Sequence, residues 1–392
     1  MDNVLPDPPE VPAESRRQSS DWLPGNSNCP LLSGSLDMLI TNIPDIWKAE
    51  AKSIFAGRTL ASDVNASSWR SGPSGVIEID YQFSIVLEDY ADGLDNFTSV
   101  IRAAFGDIAN ENHAVAASRV TELESQTLTR WQQLGTSRTA WQDSRYIGPR
   151  NGVFGRPSNR DAERDSLVSA CETFILGHEL AHHLLGHTVE GAQARRRKRL
   201  KAQSLLEQIY SDTNLSEVTS GLPPGQIDEI HCDILSFFVV AGAIDQTASY
   251  TDLYRAQAGA MVTLTALGHV QGDWMDTDHS ADHPGIRRRM AAIELAVDAA
   301  AGGRTERGTI GDHPMGFHVQ LRAYARLAEH AWFAEHLPEH VEPPRLLDHL
   351  AMLLEHGSVK TAHLPAHEQL EVTSTNVDSG DGPMPIRNAE QQ

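Results

Sequence analysis

Residues 174–187 of the chain read FILGHELAHHLLGH, and within them His178-Glu179-Leu180-Ala181-His182 forms an HExxH arrangement. On a helix, residues four apart share a face, so both imidazoles can converge on one tetrahedral ion while Glu179 reaches a water held by that ion. Zinc brings the pKa of such a water toward ~7, and a carboxylate beside it takes the proton as the oxygen attacks a carbonyl. Glu179 is therefore expected as the general base, and His178 and His182 as metal ligands. Two histidines at this spacing, with a glutamate between them, are read as ligands rather than as satisfied core histidines.

A catalytic zinc takes three protein ligands and leaves a fourth position open. The pattern HExxHxxGxxH would place glycine at 185 and histidine at 188, but the chain has Leu185 and Thr188 there. His187, five residues beyond His182, points off the metal-facing side of a straight helix and is expected to stand behind the ligands or at the surface. The better source is a second helix, PPGQIDEIHCDILSFFVVAGAI, where Glu229 and Asp233 are one turn apart on one face. Glu229 is the expected third ligand. Asp233 can accept a hydrogen bond from the outer nitrogen of a ligating histidine and fix its tautomer.

The order HExxH, then Glu229-Ile230-His231-Cys232-Asp233, then His283-Pro284-Gly285-Ile286-Arg287-Arg288-Arg289-Met290 resembles the gluzincin metallopeptidases of the CAAX prenyl protease and HtpX group. Cys232 stands where that group usually has alanine, and Arg289 and Met290 fall in register with its later motif. The resemblance spans residues 178–290. Without membrane spans, the chain looks more like a soluble relative, akin to the phage-exclusion peptidase Lit. It implies a helical, zincin-like domain, one Zn2+ per chain, and hydrolysis of a peptide or protein substrate. His283 and Arg289 are candidates to stabilise an oxyanion. Their ordinary alternatives are a helix start at His283-Pro284 and pairing of the arginines with acidic neighbours. Tyr210, Tyr250 and Tyr254 are further possible donors.

The elements that must position these residues are mainly helices. Apolar residues recur at helical spacing around 36–56, 91–106, 112–134, 163–187, 190–211, 224–244, 248–270, 284–301, 315–336 and 344–356. One strand is expected from Val76 (VIEIDYQF). The fold class is thus mainly α with little β structure. Residues 1–30 and 371–392 are expected to be disordered, flanking an N-terminal part at 31–160, a core at 161–305 and C-terminal helices at 306–370. A loop at 144–161 would enter the motif helix and help shape the cleft.

Aspartate and glutamate number 53 against 32 lysine plus arginine, a net charge of −21 that disfavours broad nucleic-acid binding. The run Ala194–Lys201 (ARRRKRLK) is the local exception and reads as an exposed helix face, with local binding of an acidic partner or nucleic acid as the alternative. Three cysteines, Cys29, Cys171 and Cys232, do not make a disulfide framework and suit a reducing, cytoplasmic compartment. Cys171 and Cys232 are expected as small buried packing residues, and Cys29 could in principle cap a zinc ion. The start of the chain lacks the basic and apolar stretches of a secretory signal. The longest apolar run, 234–244, is too short to span a bilayer and reads as a buried helix. Against the enzyme reading stand a catalytically silent binding protein with structural zinc or none, and a helical interaction protein with a chance HExxH.

Overall fold

Leu32, Leu36, Leu39 and Ile40 lie on one face of α1 (Pro30–Asn42), where all four are buried. Pro44, which lacks an N–H and disfavours helix in the residue before it, separates α1 from α2 (Asp45–Ala51). In place of the single helix expected at 36–56, the chain forms two helices and then turns into a strand. These features belong to a computed structural model that describes residues 30–59, 64–143, 161–210, 215–244, 247–272, 274, 283–301, 321, 324–329 and 332. The expected loop at 144–161 (but for Asp161), Cys29, both expected disordered ends and the helix at 344–356 lie outside them.

Three strands follow: β1 (Ile54–Thr59), β2 (Ala66–Ser71) and β3 (Ser74–Asp80). They form a sheet of order β1-β3-β2, with β1 parallel and β2 antiparallel to β3. Only β3 is visible in the sequence as an alternating pattern. The expected strand overruns it, because Tyr81, Gln82 and Phe83 already belong to α3 (Tyr81–Ala109). Helix α3 packs against α4 (His113–Asp143).

The motif helix, α5 (Asp161–Leu185), runs through the middle of the molecule and touches α1, α2, α3, β2 and β3. It also contacts α6 (Ala192–Tyr210), α8 (Pro224–Val240) and α9 (Tyr250–Gln271). A short α7 (Leu215–Thr219) precedes α8, and α10 (Ile286–Ala301) packs on α8 and α9. Residues 324–329 are helical too, within the helix expected at 315–336. One continuous core joins these elements, including Phe174 and Leu180 of α5, Ile234 and Phe237 of α8, and Val262 and Leu264 of α9. None of the described helices is long and apolar enough to cross a membrane.

Candidate metal centre

Two contacts fix the motif helix before any ligand is considered. Glu172 is buried on α5 and accepts a hydrogen bond from Arg58 of β1 at 2.6 Å, with Ser84 of α3 completing the cluster. His183 is fully buried, its Nε2 3.1 Å from the carbonyl oxygen of Val76 in β3 and its Nδ1 2.9 Å from Thr188 Oγ1. Burial, with Arg70 and Lys198 nearby, outweighs the Val76 contact and lowers the His183 pKa to about 4. His183 thus remains a neutral bridge between helix and sheet, a role its sequence neighbourhood does not announce.

Helix α8 then approaches α5 closely at Gly177. A Cβ there would meet Ser236 Oγ at 2.5 Å, and that hydroxyl donates to the Phe174 carbonyl at 2.7 Å. The next residue, His178, is thereby brought against Glu229 and Asp233, one turn apart on α8.

His178 and His182 face each other through their Nε2 atoms at 3.2 Å. Glu229 straddles the pair, with Oε2 3.2 Å from His178 Nε2 and Oε1 3.4 Å from His182 Nε2. Nitrogens about 2.0–2.1 Å from a tetrahedral zinc lie about 3.3 Å apart, so all three separations match the edges of a zinc coordination shell. His178, His182 and Glu229 form a group that could hold a metal ion. Glu229 Oε2 is buried and makes no hydrogen bond among the described residues, an orphaned acceptor that a cation would satisfy.

The outer nitrogens are held as well. His178 Nδ1 is 2.9 Å from Asp233 Oδ1, and Arg289 donates to both Asp233 oxygens at 2.7 Å through Nε and Nη2. Asp233 is completely enclosed; burial alone would raise its pKa, but Arg289 holds it lowered and charged. Burial likewise opposes charge on His178, yet the contacts with Asp233 and Glu229 prevail and push its pKa up to about 10. The centre therefore attracts positive charge, whether a proton or a metal ion.

A small cleft opens beside these residues, with His178, Glu179, His283 and Arg289 among its lining side chains. Phe174 and Leu267 provide apolar wall, and Ala66 at the start of β2 forms part of the rim. Glu179 is buried, whereas the His283 side chain is half-exposed, with Nε2 3.3 Å from Glu229 Oε2. Arg289 is buried and tied to Asp233, so its side chain meets the pairing expected of an arginine near acidic residues.

Other sequence candidates lie elsewhere or do less. Tyr254 packs against the main core, and the side chains of Tyr210 and Tyr250 lie outside the described residues. Cys171 and Cys232 are free and buried, and burial raises both thiol pKa values well above the ordinary range. In the basic run, Arg195–Arg197 are exposed as expected, but Lys198 turns inward to Glu50 and donates to the His183 carbonyl at 3.1 Å. Comparison of the chain with protein-family models, with curated proteins and with solved structures gives no match.

Proposed function

We propose that the chain is a zinc-dependent metallopeptidase, with His178, His182 and Glu229 as ligands and Glu179 as general base. The observation that carries this reading is the convergence of two imidazoles and a carboxylate at 3.2–3.4 Å beside a cleft lined by Glu179. The nitrogen and oxygen donor set suits zinc, and three protein ligands leave a position for chemistry. Bound zinc supplies Lewis acidity, polarising a carbonyl and acidifying a water.

This chain's residues supply the rest. Glu179 takes the proton of the attacking water and returns it to the departing amine. His283, half-exposed at the cleft, presents a donor to the oxygen on which negative charge develops. Asp233 keeps the proton of His178 on Nδ1, leaving Nε2 as the ligating atom, and Arg289 holds Asp233 in place. A peptide substrate is favoured because β2 lies at an edge of the sheet and its first residue, Ala66, lines the cleft. An extended peptide can pair along such an edge.

The test combines metal content by plasma mass spectrometry with cleavage of a mixture of unstructured peptides, read as new N-termini. Wild type and Glu179→Gln should each carry about one zinc, and His178→Ala should carry none. Cleavage should fall by about 10²-fold or more in Glu179→Gln. A wild type without zinc after reconstitution, or a Glu179→Gln variant that cleaves at the wild-type rate, overturns the reading.

A further inference from the structure

Helix α5 ends at Leu185, three residues past His182. Gly186 takes the left-handed conformation (φ +83°), its N–H bonds to the His183 carbonyl at 3.2 Å, and the His187 N–H bonds to the His182 carbonyl at 2.9 Å. This pairing of two backbone bonds across a left-handed glycine closes the helix and folds His187 back over its last turn. His187 Nδ1 consequently lies 2.9 Å from His182 Nδ1, and His187 Nε2 lies 3.7 Å from Asp228 Oδ1 of α8.

We propose that His187, oriented by Asp228, is the positioning residue for His182: it accepts the Nδ1–H of His182 and so leaves Nε2 of His182 as the ligating atom. The inference rests on the metal site proposed above. Two ring nitrogens at 2.9 Å can share only one proton. The Asp228 carboxylate 3.7 Å from His187 Nε2 favours a proton on that nitrogen, which leaves Nδ1 as the acceptor. Were the roles reversed, His182 would carry its proton on Nε2, pointed at His178 and Glu229, and could not ligate. Asp228–His187–His182 is then the counterpart of Arg289–Asp233–His178 on the other ligand. Asp228 and Glu229, neighbours on α8, serve the two shells of one centre.

His182, His187 and Cys232 could instead hold an ion of their own, since Cys232 Sγ is 3.6 Å from His187 Nδ1. The 2.9 Å nitrogen–nitrogen distance argues for a hydrogen bond, because two nitrogens on one tetrahedral zinc stand about 3.3 Å apart.

The experiment uses the full chain, with zinc affinity measured by competition against a chromogenic chelator and the visible spectrum recorded for the cobalt-substituted protein. His187→Ala should weaken zinc binding about 10–100-fold and alter the cobalt spectrum, while circular dichroism of the metal-free protein stays as in wild type. His187→Asn, whose Oδ1 can stand in for Nδ1, should recover most of the affinity. In the zinc-loaded wild type, nitrogen-15 spectra of the imidazoles should place the His182 proton on Nδ1 and the His187 proton on Nε2. Unchanged affinity and spectrum in His187→Ala overturn the inference while leaving the zinc site intact. A second zinc equivalent that disappears in Cys232→Ser also overturns it, in favour of a second ion. A wild type that binds no zinc removes the site and the inference together.

Discussion

Asp233 shows how one residue couples metal binding to stability. Its carboxylate is completely enclosed and is neutralised by two parallel hydrogen bonds from Arg289. Replacing Arg289 by Met leaves a buried charge without its partner, which should cost about 3–5 kcal/mol in chemical denaturation. Asp233→Asn keeps the shape but strands the buried Arg289 guanidinium, so it should cost about 3–5 kcal/mol and lower zinc affinity about 10–100-fold. Chelator competition on that variant checks it. The spacing of His178, Glu179 and His182 was legible because i,i+4 periodicity alone puts the two histidines on one face. Glu229 and Asp233 were legible for the same reason. The position of His187 was legible only as behind the ligands or at the surface; the structure puts it behind His182, a choice that depends on where the helix stops. Gly186 was the available signal, since glycine is the residue that ends helices in the left-handed conformation.

Between elements, the decisive contact is the close approach of α5 and α8 at Gly177. Gly177→Ala would drive a methyl group into Ser236 Oγ, and should destabilise by about 1–3 kcal/mol while weakening zinc binding as the helices part. Adding Ser236→Ala removes the clashing oxygen. The double variant should therefore be more stable than the sum of the single changes predicts, which a double-mutant cycle measures. Glu172 reaches in the other direction, to Arg58 of β1, and Glu172→Ala should cost about 3–5 kcal/mol by stranding that buried guanidinium. The helices carrying the ligands were evident from long apolar periodicity. The expected helix at 36–56 takes in only the first half of strand β1, and the strand itself went unread because IFAGRT is short and mostly buried, with no alternation to mark it. Strand β2, ASSWRS, has one large apolar residue and owes its form to pairing with β3. Such pairing is a non-local effect that a window of sequence does not contain.

At the scale of the molecule, the core surrounds α5, and the ligands come from segments about fifty residues apart that meet only once that core has formed. The metal is thus expected to add to a fold that stands without it. Chelation should leave the helical circular dichroism in place and lower the melting temperature. At free zinc 1,000 times the dissociation constant, the stabilisation would be about 4 kcal/mol. Collapse of the helical signal on chelation would instead identify a structural ion. Zinc affinity should also fall as pH drops, because protons compete with the metal for His178, whose pKa is pushed up to about 10.

The two buried thiols extend this into kinetics. Cys171 sits on α5 beside Thr263 of α9, and Cys232 sits on α8 beside His187, each with no exposed surface, so a thiol reagent can reach either one only when the packing around its helix opens. Each cysteine is therefore a built-in clock whose labelling rate counts openings. A ligand that steadies the whole core slows both clocks together, whereas an opening confined to one helix advances only its own.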